Sequence, residues 1–168
     1  SLPSRAALCA RHGLGRQAGR HVAIHGGSLR LFVGHGPGRI VIDEPWARDG
    51  AYYASLAARV AAIRKGLTAL LDGKQAAGYG AAAKGVMLLN AFGIRSLRYV
   101  VDRNPAKQGK YLPGVRTPVV APERLLEDVP PYCLVLAWNL LDEVIAQQAE
   151  YRRRGGRFLV PLPEPRVA

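Results

Sequence analysis

Apolar residues recur at Leu56, Val60, Ile63, Leu67 and Leu70 or Leu71, close to the 3.6-residue period of a helix with one buried stripe, which predicts a helix over 52–71. From Lys74 the pattern changes to short apolar runs separated by helical segments. Strands are predicted at 75–79, 97–101, 117–120, 132–137 and 158–160, and helices at 82–91, 122–127 and 140–154. Gly93 sits where a glycine closes a helix, and Pro122 falls in the first turn of another. The run from Tyr132 to Ala137 is continuously apolar, as a strand buried on both faces must be. Alternating β and α segments imply an α/β, Rossmann-like, mainly parallel sheet with helices on both faces and a strand order near 3-2-1-4-5.

The N-terminal part follows a different pattern. Leu2 to His12 reads as an amphipathic helix ending at Gly13, with Ser1 or Ser4 as N-cap. Two extended stretches follow, 19–24 and 28–34, and His25-Gly26-Gly27 between them suggests a hairpin turn. One helix and one hairpin bury too little apolar surface to stand alone, so residues 1–36 require a partner surface. The Gly- and Pro-rich stretch 37–50, with Asp43 and Glu44, reads as a linker, and 51–168 as the α/β domain.

Composition narrows the class without settling a function. Hydrophobic residues at 49% and charged residues at 21% belong to a packed chain rather than a disordered one. The longest apolar runs fall far short of the roughly 20 residues needed to span a bilayer, and nothing marks the chain for secretion, so a cytoplasmic location is expected. Cys9 and Cys133 lack metal-knuckle spacing and read as reduced core residues. The formal charge of +12 invites a nucleic-acid reading. However, the one dense basic run, Arg152-Arg153-Arg154 with Arg157, ends a predicted helix, where cations complement the dipole, and no aromatics interleave with it.

Candidate chemistry gathers at the carboxyl ends of the strands, where ligands bind in such sheets. Gly78-Tyr79-Gly80 opens a strand-to-helix turn able to hold an anion, with Lys84 as an added charge; the competing reading is a tight turn beside a solvated lysine. Asp102 ends the second strand, where an acid meets a ribose hydroxyl in dinucleotide sites, and it begins a long polar loop to Pro118. Trp138-Asn139 follows the fourth strand and either frames a base or sugar or serves as core and N-cap. His25, flanked by glycines, is either a base or ligand or simply polar surface, and the other histidines have no metal-ligand spacing. No Walker loop, nucleophile elbow or HExxH motif occurs.

HGGSLR (25–30), GYGAAAKG (78–85), VDRNPAKQGKYLPG (101–114) and AWNLLDE (137–143) occur in an order and spacing that resembles the C-terminal part of S-adenosylmethionine-dependent sugar C-methyltransferases. The resemblance covers nearly the whole chain. It implies a C-terminal Rossmann-like domain that holds a dTDP-linked keto-deoxysugar, with residues 1–36 as the closing elements of a methyl-donor domain. By the same resemblance His25, Ser28, Gly78, Tyr79, Gly80, Lys84, Asp102, Asn104, Lys107, Gln108, Tyr111, Trp138 and Asn139 are candidate substrate-binding residues. The family's zinc-ligand cysteines, methyl-donor loop and catalytic Tyr-x-Glu-His segment are expected in the rest of the methyltransferase. This chain is accordingly expected to bind no S-adenosylmethionine or metal by itself and to supply no catalytic residue. The rival readings are a stand-alone NAD(P)- or nucleotide-binding module and, more remotely, a basic nucleic-acid binder.

Overall fold

The structure is a computed structural model that describes residues 2–22, 28–40 and 49–168. The chain divides into two compact units, Ser1–Ala58 and Arg59–Ala168. In the first, α1 (Leu2–Arg11) ends at Gly13, whose φ of +64° favours glycine, and leads directly into β1 (Leu14–Val22). β1 pairs antiparallel with β2 (Ser28–His35), from Leu14 opposite His35 to Val22 opposite Ser28, with an irregularity between Arg16 and Ala18. β1 thus begins five residues before the stretch predicted from Gly19, because polar Arg16 and Gln17 interrupt the apolar pattern, while the pairing skips Gln17 and continues on both sides of it. The predicted turn His25-Gly26-Gly27 and the linker residues Asp43 and Glu44 lie outside the described residues, as does Ser1.

The helix α2 (Gly50–Leu71) carries the predicted stripe, but only its last turns are buried: Leu67 is 0% and Leu71 4% exposed, against 51% for Leu56. A six-stranded sheet follows, assembled from β3 (Ala76–Tyr79), β4 (Leu97–Val101), β5 (Val119–Val120), β6 (Tyr132–Val135), β7 (Arg157–Val160) and β8 (Arg166–Val167) in the order β5-β4-β3-β6-β7-β8. The first five are parallel, in the expected 3-2-1-4-5 order. β8 was not foreseen; it pairs antiparallel with β7 at the edge, and two residues are too few for a periodic signal.

Alternation along these strands builds two cores. Ala76, Val100, Leu134, Leu136 and Leu159 face one side, with Leu67 and Leu71 of α2 and Leu88 and Leu89 of α3 (Ala83–Phe92). Ala77, Tyr79, Val101, Cys133, Val135 and Phe158 face the other, with Leu125 of α4 (Arg124–Asp128), Val144 and Tyr151. Burial on both faces explains why these strands read as unbroken apolar runs. α3 ends as predicted, at Gly93 in the left-handed conformation. The predicted helix 140–154 is instead a 3-10 turn (Trp138–Leu140), α5 (Leu141–Gln147) and α6 (Ala149–Arg153), interrupted at Gln148. Cys133 is a buried free thiol as expected, whereas Cys9 is only half-buried, so the expectation of two core cysteines is corrected for Cys9: α1 exposes much of its surface. Among the described residues no helix is long and apolar enough to cross a membrane.

Candidate functional site

The parallel order reverses at β3, whose neighbours β4 and β6 are reached by connections leading to opposite sides. At the carboxyl ends of these strands lies a crevice of about 490 Å³, walled by Tyr79 and Gly80, by Asp102 to Asn104 and Lys107, by Ala137 and Leu140, and by Glu143, Val144 and Gln147 of α5. Its size lies within the roughly 300–1,000 Å³ usual for small-molecule sites.

The glycine loop is shaped largely by packing. A Cβ at Gly78 would stand 2.8 Å from Val100 Cγ2, and one at Gly85 2.6 Å from Leu136 Cβ, so these two glycines let the sheet and α3 close together. Gly80 has φ of +89°, turning the chain from β3 towards the helix, and a Cβ added there would stand 3.0 Å from Ala137 Cβ.

Asp102 ties this loop to the next. One carboxylate oxygen accepts the Ala81 N–H at 2.7 Å and the Lys107 ammonium at 3.1 Å, while the other accepts the Asn104 N–H at 2.8 Å. Burial by itself would raise the carboxyl pKa, but the Asn104 N–H, Lys107 and the Ala81 N–H outweigh it, and the net direction is below the ordinary value. Lys107 also donates to the Ala81 carbonyl at 2.9 Å, and the Gln108 amide donates to the Asp102 carbonyl at 2.9 Å. The rest of the long loop is not a solvated excursion. Leu112 and Val115 insert into the core, and Gly109 and Lys110 exchange backbone hydrogen bonds with Val119.

Lys84, Trp138 and Asn139 form a separate cluster beside the crevice. The Lys84 ammonium bonds Asn139 Oδ1 and lies 4.4 Å from the centroid of the Trp138 ring, which also packs against the core. Desolvation lowers the Lys84 pKa from its usual value. Asn139 lies within the 3-10 turn and is not a helix N-cap, so of its two predicted uses that one is corrected: the turn begins at Trp138 with Ala137 as its N-cap, and Leu140 is the N-cap of α5.

The structure therefore brings Tyr79, Gly80, Asp102, Asn104 and Lys107 to one crevice. Gln108 lines an adjoining hollow of about 540 Å³, while Tyr111 stands 67% exposed on an apolar groove beside Met87. Ser28 opens β2 in the other unit, and His25 lies outside the described residues. Sequence reasoning missed Arg103, Glu143 and Gln147. The Arg103 guanidinium lies 3.8 Å from Glu143, and the Gln147 amide is fixed between Tyr79 Oη at 3.2 Å and Glu143 at 2.7 Å. The spacing of Glu143 and Gln147, one helical turn apart, was the available signal. Burial raises the Tyr79 pKa, so its hydroxyl remains a donor to Gln147.

The Arg152–Arg154 run is a solvated helix end: Glu150 pairs with Arg153 and Arg154, and Arg154 also caps the Leu126 carbonyl at 3.1 Å.

Comparison with known proteins agrees with the family resemblance carried by the sequence motifs. Residues 23–163 match the C-methyltransferase C-terminal domain. Over 186 aligned positions the chain is 39% identical to the C-methyltransferase NovU of Streptomyces niveus, covering 99% of this chain and 44% of that relative. The chain thus spans less than half the length of the relative it matches, and by its match over most of its residues it belongs to the family of C-methyltransferase C-terminal domains.

Proposed function

We propose that this chain supplies the sugar-nucleotide half of the cleft of an S-adenosylmethionine-dependent C-methyltransferase acting on a dTDP-linked keto-deoxysugar, and that it does not turn over alone. The observation that carries the proposal is the crevice at the point of strand reversal, in a chain that belongs to this family. Arg103, 65% exposed and paired among the described residues with exposed Glu143, is available to a diphosphate at little cost, since exposed pairs contribute about 0–1 kcal/mol. Asp102 already holds three donors, and a 2′-deoxyribose has no vicinal diol that would compete for it. That argues against the NAD(P) reading, in which this acid accepts ribose hydroxyls.

The same observation bears on the methyl donor. S-adenosylmethionine also carries a ribose diol, and the residues of this chain fit it poorly, because Asp102, the acid that meets such a diol in dinucleotide sites, already holds three donors. The donor site and the base that removes a proton beside the sugar ketone are assigned to the remainder of the methyltransferase, which is the partner of this chain. We assign residues 1–36 to the end of that donor domain and 37–50 to a linker, with 51–168 as the sugar-nucleotide domain. Leu8, Phe32 and Val33, each about half exposed, are the apolar side chains that such a domain would cover. Isothermal calorimetry with dTDP, a dTDP-keto-sugar and NADH tests the reading. Heat with the dTDP ligands and weaker or no heat with NADH is expected. Silence at millimolar dTDP-sugar, or tighter NADH binding, would overturn it.

A further inference from the structure

Two hollows open on this rim and meet at the same two residues, Arg103 and Gln147, which line both. On one side is the crevice of Gly80, Asn104 and Ala137; on the other, the hollow of about 540 Å³ walled by Ala121, Pro122, Glu123, Gln108 and Gln148. We propose that the nucleotide base of the substrate occupies the Pro122–Gln148 hollow, with the diphosphate at Arg103 and the sugar in the switch-point crevice. This assignment rests on the sugar-nucleotide reading above and gives each part of that ligand its place.

A nucleoside diphosphate sugar carries its charge in the middle and two neutral groups at its ends. A cation between two hollows matches that order, whereas a cation at the end of one hollow would not. Arg103 is also displaceable, because its partner Glu143 is 3.8 Å away and 57% exposed.

The linings differ in kind. Ala121 and Pro122 give the second hollow an apolar wall for a planar ring, while the Gln148 amide and the Glu123 carboxylate set polar groups at its edge. The NH₂ group of Gln108 is engaged by the Asp102 carbonyl, which leaves its amide oxygen as an acceptor. The interruption between α5 and α6 falls at Gln148, so the residue that ends α5 also borders the hollow. Across the junction Gln147 is held at both ends of its amide, by Tyr79 and Glu143, which keeps the wall between the hollows fixed. The more apolar groove of Met87 and Tyr111 opens beside α3 and also shares a cation with the crevice, Lys107, but that ammonium is held by Asp102 at 3.1 Å and by the Ala81 carbonyl at 2.9 Å, whereas Arg103 stands 3.8 Å from Glu143.

The test uses the ¹⁵N-labelled 168-residue chain. Thymidine, inorganic pyrophosphate and dTDP are titrated separately, and Gln148→Ala and Arg103→Ala are compared with the parent after circular dichroism has matched their melting midpoints. Thymidine is expected to shift the amides of Ala121, Glu123 and Gln148, and pyrophosphate those around Arg103. Gln148→Ala should weaken dTDP roughly tenfold, as loss of one good hydrogen bond does, while leaving pyrophosphate binding unchanged. Arg103→Ala should weaken both. Thymidine shifts confined to Met87, Lys110 and Tyr111, or a Gln148→Ala variant that binds dTDP like the parent, would overturn the assignment while leaving sugar-nucleotide binding intact. If neither dTDP nor a dTDP-sugar binds at all, both readings fall together.

Discussion

Asp102→Asn is the most informative single substitution, because it changes one atom at the point where the glycine loop and the long loop are joined. The carboxylate accepts the Ala81 and Asn104 N–H groups at 2.7 and 2.8 Å on its two different oxygens, so whichever oxygen becomes an NH₂ group faces a donor. The side chain is only 11% exposed, so the stranded N–H is poorly solvated. A hydrogen bond to a charged group contributes about 1.5–3 kcal/mol, and an orphaned buried donor costs about 1–3 kcal/mol. The Lys107 pair adds little, since Lys107 is 42% exposed and exposed pairs contribute about 0–1 kcal/mol. A loss of about 2–4 kcal/mol is expected, a large part of a stability of about 5–15 kcal/mol. Because the folded pKa of Asp102 is depressed, its contribution is fully present above the usual carboxyl value of about 3.9 and is lost as pH falls through the folded value. Urea unfolding at pH 7 and at a series of acid pH values reads both effects. The variant should show a lower midpoint at neutral pH and a shallower acid decline. A parent-like midpoint with an unchanged acid limb would refute the reasoning.

Three further outcomes follow from the geometry. Gly78→Ala places a Cβ 2.8 Å from Val100 Cγ2 in a core with no slack, and should cost about 1–3 kcal/mol by urea unfolding; a neutral result would mean that the sheet relaxes freely. Lys84→Met removes the ammonium above Trp138 and the bond to Asn139, and should move the Trp138 indole N–H resonance with a loss of about 1–2 kcal/mol; an unmoved resonance would contradict the cluster. Burial pushes the Cys133 thiol well up, so under native conditions at pH 8 iodoacetamide should label the half-buried Cys9 and leave Cys133 intact until the chain unfolds, as read by peptide mass spectrometry.

The architecture was legible where burial imposes a period. The five parallel strands and α3 with its closing Gly93 follow from apolar runs and glycine placement, and their order follows from the rules of parallel connections. Features set by contacts between distant residues were not legible. Only the last turns of α2 meet the sheet, so the sequence stripe overstates its buried length. The break at Gln148 leaves helical spacing intact on both sides and produces no change in pattern. At the site, the glycine loop, Asp102 and Trp138-Asn139 could be named from position alone, but their partners could not. That Asp102 holds Ala81, Asn104 and Lys107, and that Lys84 turns towards Trp138, depends on how two loops fold against each other. Arg103 sits inside a quoted motif and Gln147 outside all of them, and neither was singled out, yet they stand where the two hollows join.

The central claim is that the rim at the β3 strand reversal receives a diphosphate-linked sugar. A crystal structure of the chain with a dTDP-keto-sugar examines it directly. Density for the diphosphate against the Arg103 guanidinium, with the sugar beside Gly80 and Ala137, is the expected result. A ligand bound away from that rim, or a crevice filled only by solvent at saturating ligand, would contradict it.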